Sequence, residues 1–289
     1  MPRTLVFGDV HGCVSELRTL IAMFSPVDGD QLVSVGDLIK KGPDSAGVVR
    51  LLRSLVEQGI SVSHVLGNHE GNLRARVRLP NGFDRELRLL IDSMSAEDLS
   101  WLLDAPLHLE LPAFGARVLH GGILPSWRDL PPADADTAEA SDPERMDLVM
   151  RTRNLSGPGP RRLVTRVRKN GKRGRSFRLA EDQRLPEAPA GGTLEVEEIT
   201  LPLHSFLGLR EIGAGDPNWP TLYDGRFGHI YFGHQPFLDH DAPVSFPHAT
   251  GLDLGCVYGG WLASVVLEEG RAPETLTVRA EREYSRWGF

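Results

Sequence analysis

Short apolar runs recur along the chain and stop abruptly at a small set of polar residues. Leu5-Val6-Phe7 ends at Gly8-Asp9-Val10-His11-Gly12, and Leu32-Val33-Ser34-Val35 ends at Gly36-Asp37. Val62 to Leu66 runs into Gly67-Asn68-His69-Glu70, Arg117-Val118-Leu119 into His120-Gly121-Gly122, and Ile230-Tyr231-Phe232 into Gly233-His234. Apolar runs of this length, bounded by glycine, read as buried strands. Helical spacing lies between them. Leu17, Leu20, Ile21 and Phe24 share a face within 16–24, and Val48, Leu51, Leu52, Leu55 and Val56 within 44–58. A third helical region is expected over Phe83 to Leu103, with Ser95 and Asp98 spaced as an N-cap and acidic partner. The alternation across residues 1–125 predicts parallel strands in a layered α/β sheet. From Pro112 short strands take over, and Thr250 to Leu254, Trp261 to Leu267 and Thr275 to Ala280 continue them.

Residues 128–200 are less regular. Pro131 to Asp142 reads as loop or a frayed helix start. Arg161 to Arg178 carries nine basic residues and no acidic one. Its centre, Lys169-Asn170-Gly171-Lys172, is a hairpin turn signal between Leu163-Val164 and Ser176-Phe177. The segment is a solvated hairpin in a surface insertion, or a cationic flap over a polyanionic substrate. The expected organisation is one domain over 1–289 with a basic insertion at about 157–200.

Composition narrows the classes. With 40% hydrophobic and 25% charged residues, the 289-residue chain is an ordinary globular one. A net charge of -7 argues against bulk nucleic-acid binding. The apolar runs are too short to span a bilayer. The amino terminus enters the first strand at once, without a signal-peptide layout. Two cysteines, Cys13 and Cys256, make no disulfide framework. Together these predict a cytoplasmic protein with no membrane association and no stable protein partner.

The residues at which the runs stop define candidate chemistry. Strand ends converge at the carboxyl edge of an α/β sheet, where sites are built. Asp9, His11, Asp37, Asn68, His120 and His234 are oxygen and nitrogen donors with no thiolate. That set suits Mn, Fe, Zn, Co or Ni. Asp37 can bridge two cations, with Asp9 and His11 on one side and Asn68, His120 and His234 on the other. Two metals roughly 3.5–4 Å apart can hold a phosphoryl group for in-line attack by water. His69 is the candidate general acid; the alternative is a neighbour that orients a ligand. Arg151 and Arg153 are candidate phosphate clamps. Trp219 and Tyr223 read as core ahead of a base-stacking role.

Gly8-Asp9-Val10-His11-Gly12, Gly36-Asp37-Leu38-Ile39-Lys40-Lys41-Gly42, Gly67-Asn68-His69-Glu70, His120-Gly121-Gly122 and Gly233-His234 resemble the calcineurin-like metallophosphoesterases of the phosphoprotein-phosphatase superfamily. Gly42-Pro43-Asp44-Ser45, Met150-Arg151-Thr152-Arg153-Asn154 and Gly251 to Gly260 are similar to its symmetrical diadenosine tetraphosphate hydrolases and their hydrolase-like phosphatase relatives. The resemblance implies a four-layer αββα sandwich with two mixed sheets and a binuclear centre, manganese foremost. It also implies catalytic roles for Asp37, His69 and Lys41, with Lys41 binding substrate beside Arg151 and Arg153. Within the family's late motif Asp253 would position a ligand histidine.

Two departures bear on substrate. The superfamily's protein phosphatases carry an acidic residue at the place of Lys40, and they and the hydrolases carry Arg at the place of Lys41, where the hydrolase-like branch tolerates Lys. Lysine keeps the charge but loses the fork that clamps two phosphate oxygens. The expected activity is therefore phosphoanhydride hydrolysis, of dinucleoside polyphosphates or of nucleotide-capped RNA 5′ ends. The alternative is a serine/threonine protein phosphatase. A catalytically dead phosphate-binding module is disfavoured because Asp9, Asp37, Asn68 and His120 are all present.

Overall fold

Alternation along the first strand explains the architecture. In β1 (Arg3–Phe7) Leu5 and Phe7 join one buried cluster while Val6 joins another. A strand buried on both faces needs an unbroken apolar run, which is what the sequence carries. The computed structural model describes residues 1–79, 85–181 and 183–287, without the side chains of Glu86 and Arg175. The chain divides into two compact units.

The larger unit holds Met1–Gly122, Arg128–Arg151 and Asp224–Phe289. After β1 come α1 (Val14–Phe24), β2 (Gln31–Ser34), α2 (Ser45–Glu57), β3 (Ser61–His64) and α3 (Asn68–Val77). They are followed by α4 (Arg85–Asp92), α5 (Ala96–Leu103), β4 (His108–Leu111), β5 (Ala116–Leu119), α6 (Ala135–Ser141) and α7 (Pro143–Arg151). Asp44 caps α2 by accepting the Gly47 amide at 2.7 Å. The region expected as one helix over Phe83 to Leu103 is two, α4 and α5. Ser95 accepts the Asp98 amide at 3.0 Å, so the capping signal starts a new helix. Its expected beginning at Phe83 lies outside the described residues.

The smaller unit, Ile123–Trp127 and Thr152–Tyr223, contains β6 (Pro160–Val167), β7 (Arg173–Ala180) and β8 (Thr193–Thr200). The 169–172 turn joins β6 and β7 as an antiparallel hairpin. Strand β8 pairs along the other side of β6 and was not foreseen. Its Glu195, Glu197 and Glu198 are compatible with the edge of a sheet, where charged side chains are tolerated. Three of the nine basic residues of the run are paired with carboxylates inside this unit. Arg161 is buried against Asp216, Arg178 grips Glu211 at 2.9 and 2.6 Å, and Arg173 reaches Glu195 at 2.5 Å. Trp219 and Tyr223 are buried, 5.9 Å apart, as core residues.

The chain returns to the larger unit with β9 (His229–Phe232), β10 (Val244–Phe246), β11 (Ala249–Gly251), β12 (Asp253–Leu254), β13 (Trp261–Glu268) and β14 (Glu274–Arg279). One mixed sheet has the order β12-β13-β1-β2-β3, with β14 also on β13. The other has the order β10-β11-β9-β5-β4. The β1, β2 and β3 strands are parallel, as are β5, β9 and β11. Val6 and Val33 from the first sheet, with Val65 just after β3, pack with Leu111, Ala116, Val118 and Tyr231 from the second. On the first sheet's other face, Leu5 and Phe7 pack with Leu17 and Leu20 of α1, Leu52 of α2 and Leu102 of α5. Among the described residues no helix is long and apolar enough to cross a membrane.

Buried His64 ends β3, with a ring nitrogen 3.1 Å from the Leu102 carbonyl and its ring 4.3 Å from Trp101. Burial pushes its imidazole down to about 4. An unfolded histidine titrates near 6.5, so between these values the unfolded chain holds a proton that the folded chain rejects. This contribution to stability is complete above about pH 6.5 and falls by up to about 1.4 kcal/mol per pH unit towards pH 4. His64→Phe keeps a ring against Trp101. Its urea midpoint should fall less than the wild type's between pH 6.5 and 4.5; parallel curves would assign the acid sensitivity to other groups.

Candidate metal centre

The strand ends bring the expected ligands to one place within the larger unit. Asp9 and His11 follow β1, Asp37 follows β2, and Asn68 and His69 open α3 just after β3. His120 follows β5 and His234 follows β9. Among the described residues seven non-glycine residues have left-handed backbone, and five of them are His11, Asp37, Lys40, Lys41 and His234. Such strain, on the order of 1–3 kcal/mol each, concentrates where side chains are held for function. Two of the glycines that precede candidate ligands have a physical reason. A Cβ on Gly233 would lie 2.0 Å from Asp9 Oδ1, and one on Gly67 would lie 2.3 Å from Asp37 Oδ1.

Asp37 is the centre of the arrangement. Its Oδ2 lies 3.4 Å from His120 Nε2, 3.6 Å from His11 Nε2 and 3.9 Å from His69 Nε2. Donors bound at about 2.0–2.2 Å to one ion stand roughly 3–4 Å apart, so these spacings fit shared cations. Two groups of donor atoms share Asp37, each within 4.8 Å: His11, Asp37 and His69, and Asp37, His120 and His234. Asn68 Oδ1 adds an oxygen 3.2 Å from His120 Nε2. Asp9 Oδ2 is 3.9 Å from His11 Nε2, and the Asp9 carboxylate accepts the His234 amide at 3.2 Å. His69 thus stands with His11 and Asp37, and not apart from them.

Three imidazoles are each fixed on a backbone carbonyl. His11 Nδ1 meets Ile39 at 3.1 Å, His120 Nδ1 meets Val35 at 2.8 Å, and His234 Nε2 meets Arg151 at 3.1 Å. A carbonyl only accepts, so that nitrogen carries a proton, and in the neutral ring the other carries the lone pair. Metal-ligating histidines are oriented in this way. The electrostatics agree with a cation site. Burial, then Asp253, pushes Asp9 well above the usual carboxylate range. Burial also opposes charge on Asp37, but His120, His69 and His11 outweigh it and hold its carboxyl well below that range. Burial opposes charge on His120 as well, yet Asp37 lifts it to about 9. A field that draws a proton onto a fully buried imidazole also attracts a metal ion. His11 and His69 are pushed down by burial, to about 3 and about 4.

Lys41 and Glu70 frame the cluster. The Lys41 ammonium is 3.1 Å from His11 Nε2 and donates to Tyr258 Oη at 2.6 Å. Fully buried Glu70 accepts the amides of Asp37 at 2.9 Å, Gly67 at 3.1 Å and Ile39 at 3.2 Å, joining two ligand loops. Burial, then Asp37, raises its carboxyl to about 7. Sequence reasoning gave neither Glu70 nor Tyr258 a role, although both stand inside quoted motifs. The Arg151 guanidinium engages Asp147 at 2.5 Å and Asn72 at 2.7 Å, and it is the Arg151 carbonyl that holds His234. Arg153 belongs to the smaller unit, where its carbonyl accepts the Trp219 amide at 2.9 Å. Asp253 is buried and accepts the Gly255 amide at 2.9 Å.

Residues 2–237 match the calcineurin-like phosphoesterase family. The chain belongs to that family. A symmetrical bis(5′-nucleosyl)-tetraphosphatase of Shewanella baltica is 37% identical over 125 residues, 42% of this chain and 44% of that protein. The chain thus spans under half the length of this relative. A symmetrical bis(5′-nucleosyl)-tetraphosphatase of Pseudomonas putida is 29% identical over 288 residues, 92% of this chain and 90% of its own. Among solved structures, a candidate diadenosine tetraphosphatase superposes with a TM-score of 0.61 and 26% identity over 96% of each chain. A serine/threonine phosphatase from Saccharomyces cerevisiae reaches 0.51 at 15% identity, over 96% of this chain and 80% of its own, and shares the fold alone. The paired mixed sheets of this calcineurin-like phosphoesterase are those of the metallophosphoesterase sandwich.

Proposed function

We propose that the protein is a binuclear phosphohydrolase that cleaves phosphoanhydride bonds of dinucleoside polyphosphates, converting diadenosine tetraphosphate to two molecules of ADP. The observation that carries this reading is Asp37, whose one carboxylate oxygen faces three imidazoles at 3.4–3.9 Å. Asp9, His11 and Asp37 would hold one divalent cation, and Asp37, Asn68, His120 and His234 the other, with manganese foremost. Bound there, two cations supply Lewis acidity towards the phosphoryl oxygens and the attacking water. The water oxygen bonds to phosphorus, and the bond from phosphorus to the bridging oxygen breaks.

Lys41 gives charge to a phosphate oxygen at the rim of the cluster. Within the larger unit Arg151 is the candidate holder of a further phosphate. His69 stands to donate a proton to the departing oxygen. Its lowered basicity keeps it neutral near pH 7, so this help is small. A nucleoside diphosphate leaves without much help, whereas the hydroxyl of a phosphoserine or phosphothreonine needs an acid. That difference supports anhydrides over phosphoproteins, as do the names of the tetraphosphatase relatives. A nucleotide-capped RNA 5′ end carries the same kind of bond and falls within the reading. The free, buried thiols of Cys13 and Cys256 suit a reducing cytoplasm. Purified protein with Mn should convert diadenosine tetraphosphate to ADP as the sole nucleotide product. Formation of ATP and AMP, or no turnover while a phosphothreonine peptide is consumed, would reject the proposal.

A further inference from the structure

Residues 281–287 form a strap held by groups from elsewhere in the larger unit. Buried Glu16 of α1 accepts the Glu281 amide at 3.0 Å and the Tyr284 hydroxyl at 2.8 Å. The Tyr284 and Ser285 amides donate to the Val257 carbonyl at 3.0 and 2.9 Å. Glu283 pairs with Tyr258 in an antiparallel bridge. The strap is thereby fixed against the loop whose Tyr258 orients Lys41. Between them lies a pocket of about 260 Å³, with Lys41, Gly42 and Pro43 on one wall and Arg282, Glu283 and Tyr284 on the other. Three residues past Tyr284 the ring of Trp287, 43% exposed, stands edge-on to Tyr258 at 5.0 Å.

We propose that this pocket is the leaving-nucleotide subsite, taking the nucleoside diphosphate half of the substrate. The inference rests on the anhydride-hydrolase reading above. Lys41 belongs to both places, because it lines the pocket and touches His11 of the metal cluster. A polyphosphate reacting at the cluster and passing Lys41 therefore enters here. The walls and the Tyr258 ring behind them, which meets both Lys41 and Glu283, carry the three chemistries that a nucleotide asks for. Lys41 and Arg282 are cations for phosphate, Glu283 is an acceptor for ribose hydroxyls, and the Tyr258–Trp287 pair offers an aromatic face to the base. At about 260 Å³ the pocket is below the usual range of roughly 300–1,000 Å³ for whole ligands, so it holds one half of the substrate. Stacking is indifferent to base identity, so adenine and guanine dinucleotides should be used alike.

The test uses the whole protein loaded with Mn and two variants outside the metal cluster, Trp287→Ala and Arg282→Ala. Trp287→Ala should raise KM for diadenosine tetraphosphate about tenfold, as loss of one stacked base does, with kcat within about twofold. KM for inorganic tripolyphosphate should not change in that variant. Calorimetry gives a readout independent of turnover: Trp287→Ala should weaken ADP but not pyrophosphate, while Arg282→Ala should weaken both. Trp287→Phe should restore ADP binding, which separates stacking from misfolding. If Trp287→Ala leaves ADP binding intact, or weakens ADP and pyrophosphate equally, the subsite is wrong. If ADP behaves as expected but diadenosine tetraphosphate is not cleaved, the anhydride reading fails, the leaving-group role falls with it, and the pocket stands as a nucleotide-binding site alone.

Discussion

Asp37→Asn should lower turnover of diadenosine tetraphosphate by about three orders of magnitude, a loss of about 4 kcal/mol of transition-state stabilisation. The substitution keeps size and shape but removes the one negative charge that faces His11, His69 and His120 together. An amide cannot bridge two cations as a carboxylate does. His120→Ala should have an effect of the same order, because it removes the imidazole closest to Asp37 and leaves a buried carboxylate uncompensated. Circular dichroism should show the fold retained in both, since the apolar clusters on either face of β1 are untouched. Elemental analysis should show about two divalent ions per wild-type chain and fewer in each variant. Wild-type rates in both variants, or purified active protein without metal, would refute the binuclear proposal.

Lys41→Ala should cost about 1.5–3 kcal/mol, roughly ten- to 150-fold in kcat/KM, on every phosphate substrate. The ammonium is a point charge held at the cluster's rim by Tyr258, and a charge-assisted contact to phosphate has that strength. Lys41→Arg is the more informative change. A guanidinium can clamp two oxygens of a lone phosphoryl group, whereas a substrate with several linked phosphates already offers oxygens to other groups. Lys41→Arg should therefore raise phosphomonoester hydrolysis more than anhydride hydrolysis. The wild type should prefer diadenosine tetraphosphate to a phosphothreonine peptide. Equal kcat/KM on the two substrates would return the serine/threonine phosphatase reading to first place.

Some of this was legible without coordinates. The β1, β2, β5 and β9 strands stand where apolar runs end at glycine and a donor, and β3 lies within the Val62 run just before Asn68. α1 and α2 stand where helical spacing placed them. A donor at a strand's carboxyl end is a local fact, since strand length and glycine position are written in consecutive residues. The hairpin around Gly171, with φ of 76°, was readable for the same reason. Strand β8 was not, because its exposed glutamates resemble a loop until β6 supplies hydrogen-bond partners.

Other features were decided only in three dimensions. Residue spacing cannot say that Glu70 would turn inward and join the Asp37 loop to the Gly67 turn, because its Asp37 and Ile39 amide partners lie over thirty positions away. Nor can it say that His69 would come within 3.9 Å of Asp37, that Arg151 would contribute its carbonyl, or that Tyr258 would meet Lys41 across 217 positions. The kinds of ligand and the strand ends that present them follow from local chain stiffness and apolar burial, which short stretches of sequence encode. Which nitrogen faces a cation, which carboxylate is charged and what lines the neighbouring pocket follow from long-range packing, because each depends on a backbone carbonyl or side chain delivered by another strand.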